Sequence, residues 1–184
     1  MFEELKTEHL IIRSLTTADA TAMHAYRSKV EVARFQSWQP QSLEQVTELI
    51  RSIQPDNFNA TGEWYQVGII LKENQKLIGD LGIQINSADS RLAEVGITIH
   101  PQYQNKGFGK EALSALLNLL LYKLGKHRVT ASVDPRNLAS MALMKRVGLR
   151  QEGHFVKSLW IKDTWVDDVI FAALKNDWPN STFL

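Results

Sequence analysis

The chain of 184 residues contains no cysteine, which excludes disulfides, thiolate metal sites and a cysteine nucleophile. It has little surplus of charge, with 21 Lys+Arg against 20 Asp+Glu and a formal net charge of +1. Broad nucleic-acid binding needs a basic face, and this balance leaves nothing to build one. Long apolar runs are missing as well. The longest, Ala112–Tyr122, is interrupted by Ser114 and Asn118 and flanked by Lys110 and Lys123, far short of the ~20 residues that span a bilayer. The opening MFEELKTEH is acidic and no apolar stretch follows, so neither a cleavable secretory signal nor a membrane anchor is expected. There is no 20–50-residue repeat and no Pro- or Gly-rich segment. What is left, 44% apolar and 22% charged residues, is the composition of a soluble globular protein. Residues 1–184 read as a single domain with a cytoplasmic location, long enough to bury roughly 70% of the unfolded surface.

Periodicity gives a mixed succession of elements. His9–Arg13 reads as a short strand and Thr16–Arg27 as a helix, capped by Thr16 with Asp19 in its first turn. Ser42-x-x-Gln45 is a capping-box signature opening a helix to about Ile53. Strands Trp64–Lys72 and Lys76–Ile85 form a hairpin, and Ala93–Ile99 follows a polar loop. The long helix Gly107–Leu124 carries Leu113, Leu116, Leu117, Leu120 and Leu121 as a core-facing stripe. Strand His127–Val133, helix Asn137–Val147 stopped at Gly148, and a hairpin of His154–Ile161 with Trp165–Leu174 complete the chain. A strand–long helix–strand unit makes its two strands parallel. Only one clear unit of that kind is present, so an α+β fold is expected rather than a doubly wound one.

The most informative stretch is Glu94–Lys110, EVGITIHPQYQNKGFGK. The glycines of the turn Gln104-Asn105-Lys106-Gly107-Phe108-Gly109 permit positive φ and close backbone approach. The first amides of the helix that follows lack intrahelical acceptors and, with the helix dipole, suit a phosphate or pyrophosphate. A plain strand–helix connector with solvated lysines fits the spacing equally well. Gly107-x-Gly109-x-x-Ala112 also matches the dinucleotide fingerprint formally, but seven residues separate Ile99 from Gly107, whereas in that fold the glycines follow the strand directly.

Gln104-x-x-Gly107-x-Gly109 ahead of a leucine-rich helix resembles the acyl-CoA-binding motif of the GNAT superfamily of N-acetyltransferases. The similarity covers nearly the whole chain. Thr7–Arg13 (TEHLIIR) resembles the opening strand of the RimJ/RimL-like branch, and Leu77–Gly82 its third strand. Val133-Asp134-Pro135-Arg136-Asn137-x-x-Ser140, then Lys145–Leu149 and the ending Trp165–Val169, continue it.

The resemblance implies a GNAT-like mixed, mostly antiparallel sheet with a central, splayed parallel strand pair and flanking helices. It implies acetyl-CoA as donor. The pyrophosphate would sit on the turn formed by Gln104, Asn105, Lys106, Gly107, Phe108, Gly109 and Lys110, with the pantetheine arm along Ile97, Thr98 and Ile99. A bulge there would splay this strand from the next and free amides for the thioester carbonyl. Asn137 falls where the family touches the cofactor arm, and by its own position reads as a helix N-cap. Ser140 falls within reach of the thioester sulfur, or is a first-turn serine satisfying backbone. Glu94 is the carboxylate placed for a proton relay through water; its alternative is a structural acceptor for amides. Phe35, Trp38 and Trp160 are candidates for lining an acceptor groove, and Asp163, Asp167 and Asp168 for attracting a cationic acceptor. His100 reads as a strand-end histidine. No His/Asp/Glu cluster has ligand spacing, so no metal is expected.

The sequence also departs from its relatives. Ser132 and Met144 occupy positions where ribosomal N-terminal-alanine-modifying enzymes carry glutamate and tyrosine, and Leu159 stands for a glutamate of some RimL-like enzymes. The chemistry tolerates this. The implied reaction is direct attack of an amine on a thioester in a ternary complex. Deprotonating an α-amino group at pH 7 costs about 1 kcal/mol, against roughly 4.6 kcal/mol for lysine. A weak proton-transfer apparatus therefore favours an α-amine or another low-pKa amine. The expectation is an N-acetyltransferase acting on a protein N-terminus or a small amine, with a CoA-binding module lacking turnover as the alternative. Dimers are common in such folds, and a homodimer is expected.

Overall fold

The computed structural model describes residues 2–178. Chain order gives strands β1 (Leu5–Lys6) and β2 (Leu10–Ser14), helices α1 (Ala20–Arg27), α2 (Val30–Ala33) and α3 (Leu43–Ser52), then strands β3 (Trp64–Leu71), β4 (Lys76–Ile85) and β5 (Leu92–Ile99). Helix α4 (Phe108–Asn118) leads to β6 (Arg128–Val133), followed by α5 (Leu138–Val147), β7 (Arg150–Ile161) and β8 (Thr164–Leu174). The strands form one sheet in the order β1-β2-β3-β4-β5-β6-β8-β7. Every neighbouring pair is antiparallel except β5–β6, which is the pair joined through α4.

Local chemistry accounts for the helix starts. Asp19 accepts from the Thr16 amide (2.8 Å) and hydroxyl (3.0 Å) and is gripped by Arg13 at 2.8 and 3.0 Å. The first turn there is 3₁₀, Thr17–Asp19, so the α-helix expected from Thr16 begins at Ala20. Ser42 accepts from the Gln45 amide, while the Gln45 side chain reaches back to the amide of Gln41. Gly148 ends α5 in the left-handed region, at φ 95°.

The leucine stripe of α4 is fully buried against one face of the sheet, together with Val129, Ala131 and Phe171. A smaller core, including Met23, Tyr26, Val46 and Ile50 of α1 and α3, covers part of the opposite face. Glu111 ties the first turn of α4 to the start of β2, accepting from Thr7 Oγ1 (2.5 Å) and the His9 amide (2.7 Å). The expected single helix to Leu124 departs from α geometry at its end. Leu119–Lys123 is a π-helical turn, closed by the Leu124 amide on Leu119 at 2.8 Å.

The central parallel pair is brief. Only Leu92↔Arg128, Ala93↔Val129 and Glu94↔Thr130 are in register. Beyond them β5 continues along β4 to Gly79↔Ile99, while β6 continues along β8 to Val133↔Val169. The strands therefore part from Val95 onward. The bulge expected in β5 is absent, because its register with β4 is unbroken from Ala93 to Ile99. The opening comes from divergence of two intact ladders.

Candidate active site

The loop after β5 is held by its own polar side chains. His100 Nδ1 accepts from the Gln102 amide (3.1 Å) and Gln104 Nε2 donates to the Ile99 carbonyl (2.9 Å). Asn105 (φ 59°) and Gly107 (φ 87°) are left-handed, which turns successive amides toward one side. Among the described residues, no protein group accepts a hydrogen bond from the amides of Asn105 through Lys110. A Cβ on Gly107 would meet nothing within 4 Å, so the approach to these donors is open. The residues fit a diphosphate.

In front of this turn lies a cavity of about 150 Å³ lined by Ile97, Ile99, Gln104, Asn105, Gly107, Gly109 and Lys110, together with Asn137, Ser140 and Arg146. Lys106 instead holds its ammonium 5.4 Å from the Tyr103 ring, and Phe108 packs at the edge of the core beside His9. Thr98 is buried on the other face and lines a second, larger cavity.

Main-chain direction follows from one bond. The His100 amide donates to Ile78 O at 2.8 Å, so in this antiparallel ladder the even-numbered residues of β5 bond to β4 and the odd-numbered ones face away. Past Glu94, the peptide groups of Val95 and Ile97 thus point into the gap. The Ile99 carbonyl also faces that way, consistent with its bond to Gln104. The Thr98 peptide groups are directed to β4.

The larger cavity, of about 890 Å³, lies across the gap and shares Ile97, Asn137 and Ser140 with the first. Asn137 uses its carbonyl oxygen to cap α5, accepting from the Ser140 amide at 3.2 Å. The Ser140 hydroxyl has no partner among the described residues. Phe35 and Trp38 form one wall and Trp160 another. Ser132, Met144 and Leu159 also line this space.

Glu94 sits where β5 and β6 begin to part and lines the larger cavity. Burial pushes its carboxyl above the usual range, and the nearby Asp168 pushes the same way. Among the described residues nothing hydrogen-bonds its carboxylate, so the amide-acceptor alternative finds no support. Asp168 is buried and accepts from Ser132 Oγ at 2.7 Å. Asp167 is occupied by His154 (2.8 Å) and the Lys157 amide (3.0 Å), whereas Asp163 lies in the β7–β8 turn at φ 58°.

Sequence reasoning missed the floor of this cavity. Arg27 donates to Asp80 through Nη2 (2.5 Å) and Nε (3.1 Å), and Tyr26 OH donates to the same carboxylate at 2.5 Å. Arg27 also lies 5.6 Å from the centre of the Trp38 ring. Burial drives the Tyr26 phenol well above its ordinary range, and the Asp80 charge adds to it. Partners 53 residues apart leave no local signal; the only hint was Asp80 within an otherwise apolar strand. Among the described residues no group of three metal-ligating side chains occurs and no helix is long and apolar enough to cross a membrane.

Comparison with known proteins matches residues 9–150 to the acetyltransferase (GNAT) domain. The chain is 30% identical to the uncharacterized N-acetyltransferase YoaA of Bacillus subtilis over 95% of its own length and 98% of the relative's. The figures for the uncharacterized N-acetyltransferase YnaD of the same organism are 28%, 95% and 98%. A solved acetyltransferase of the GNAT family from Bacillus anthracis superposes with a TM-score of 0.83 at 26% identity, covering 95% of this chain and 99% of the other.

Proposed function

The chain belongs to the acetyltransferase (GNAT) family, and from that premise we propose that it transfers an acetyl group from acetyl-CoA directly to a low-pKa primary amine, within a ternary complex, as a RimJ/RimL-like enzyme. The observation that carries this reading is the meeting of two cavities, on opposite faces of the sheet, at Ile97, Asn137 and Ser140. Acetyl-CoA supplies an activated thioester. The amides of Asn105–Lys110 hold its diphosphate, and Ile97, Ile99 and the amide nitrogen of Asn137 line the path of its arm. The main-chain N–H groups of Val95 and Ile97 stand where negative charge develops on the carbonyl oxygen. Ser140 Oγ is free to donate toward the departing sulfur. Glu94 receives the proton of the amine, through water.

More distant relatives divide on the acceptor. The [ribosomal protein uS5]-alanine N-acetyltransferase of Escherichia coli is 27% identical over 67% of this chain, and the spermidine N(1)-acetyltransferase of Vibrio cholerae is 26% identical over 93%. An α-amine is favoured here because, among the described residues, Glu94 is the larger cavity's single uncommitted carboxylate, and a low-pKa amine needs little help to lose its proton. Thiol release from acetyl-CoA across a panel of α-amines and alkylamines tests the reading. Acetyl-CoA binding with no release from any amine would leave a CoA-binding module instead.

Two outcomes bear on residue roles. Ser140→Ala is expected to lower kcat about tenfold to a hundredfold while acetyl-CoA affinity stays within threefold, because the hydroxyl acts on the leaving group. An unchanged kcat reduces Ser140 to the first turn of α5. For Glu94, log kcat/KM should fall with slope two below its raised pKa, one proton residing on the acceptor amine and one on Glu94. Glu94→Gln should leave slope one. The sign for stability runs the other way. Burial raises the folded-state pKa, so ionised Glu94 weakens the fold at neutral pH and ceases to do so below the ordinary carboxylate range. Glu94→Gln should therefore raise the urea midpoint at pH 7.

A further inference from the structure

Part of the acceptor face carries no side chains. Gly82 on β4 and Gly96 on β5 are directly opposite one another, and both line the larger cavity. Strand alternation aims the missing side chain of Gly96 to the face of Glu94 and Thr98. The two glycines differ in what lies above them. A Cβ on Gly82 would come within 3.0 Å of the Gln66 amide and 3.1 Å of the Trp64 ring, whereas a Cβ on Gly96 would meet nothing within 4 Å. Backbone geometry does not demand glycine at 96, since it is not among the positive-φ residues, and glycine weakens a strand interior. The vacancy sits one residue from Ile97, whose peptide faces the gap, and two from Glu94.

The charges around it are nearly all committed. Arg27 and Tyr26 hold Asp80, Arg136 holds Asp134, and His154 holds Asp167. Glu94 is the cavity's one carboxylate without a hydrogen-bond partner among the described residues. That suits a single amine rather than a chain of them.

Resting on the acetyl-transfer reading above, we infer that Gly96 is the specificity-determining position for the acceptor: its vacancy receives the substituent on the α-carbon of a branched primary amine, against the Trp64 ring as an apolar wall. The acceptor class is then an α-amine of amino-acid type bearing an apolar side chain, as at a peptide N-terminus, and not a polyamine or an unbranched alkylamine. An amine placed at the gap beside Ile97 carries its first carbon over this bare stretch, where any other residue would project a side chain.

The test compares wild type with Gly96→Ala on a tripeptide beginning with leucine, the same tripeptide beginning with glycine, and spermidine, by thiol release from acetyl-CoA. Alanine meets no neighbour and no positive φ here, so folding does not cloud the result, and a melting curve checks it. Wild type is expected to prefer the leucine peptide at least tenfold in kcat/KM, and Gly96→Ala to cut that preference at least tenfold. An unmoved preference overturns the assignment, as does wild-type preference for the glycine peptide or turnover of spermidine alone. Absence of thiol release with every amine overturns the transfer reading, and this one with it.

Discussion

Gly107→Val is expected to abolish acetyl-CoA binding, lowering affinity at least a hundredfold by calorimetry, while the protein still unfolds cooperatively. Gly107 stands at φ 87° immediately before α4, in a turn whose amides from Asn105 to Lys110 have no protein acceptor among the described residues. The open space above it is the space a diphosphate needs to reach those donors. Valine places two methyl groups there. It also pays the left-handed cost of a side chain, roughly 1–2 kcal/mol, which pulls the turn toward negative φ and scatters the amides. A Cβ there meets no atom within 4 Å, so the folded state loses little beyond that strain. The melting temperature should drop by a few degrees and no more. Affinity within threefold of wild type would show that the diphosphate lies elsewhere, and the proposed enzyme would go with it.

Asp80→Ala is expected to be the most destabilising single substitution, costing on the order of 3–5 kcal/mol in urea unfolding. Asp80 is 1% exposed and Arg27 6%. Burial alone would depress the guanidinium, but the Asp80 charge overrides that and keeps it raised. Removing the carboxylate strands a buried cation and takes from the Tyr26 hydroxyl the acceptor it donates to. The Gln66 amide, turned with its nitrogen toward the carboxylate, loses a contact of 3.2 Å as well. Buried pairs are dear to break but not dear to replace. Arg27→Met and Asp80→Leu combined with Tyr26→Phe should thus recover most of the loss, although Trp38 then lacks its cationic neighbour and that wall of the larger cavity should loosen. A single substitution costing under 1 kcal/mol would mean that water reaches Arg27.

Much of this frame was legible in the sequence because its signals are local. The leucine stripe, the Ser42 capping box and Gly148 each act within a few residues, and the structure has elements where they point. Gln104-x-x-Gly107-x-Gly109 pointed, for the same reason, to a turn ahead of α4, and the structure has one there with Asn105 and Gly107 left-handed. What escaped is non-local. The short helix Val30–Ala33 has too few residues for a period to show, and the π turn at Leu119–Lys123 continues the same apolar pattern as the helix before it. The Arg27–Asp80 pair needed knowledge of which helix crosses which strand. Thr98 is a different case. Its parity with Glu94 and Gly96 was on view, and alternation alone separates it from Ile97 and Ile99. Gly96 gains meaning only with Gly82 opposite it and the Trp64 ring beside Gly82, neither of which is local in sequence.

The parting of β5 and β6 has a further consequence for how the enzyme tolerates change. Each strand is zipped on its outer side, β5 to β4 through seven consecutive pairs and β6 to β8 through six. Where the seam opens is dictated by those two outer ladders, not by any wedge lodged between the strands. Side chains facing the seam are therefore free to drift over evolutionary time, altering which molecules react there, without closing the slot or shifting its position.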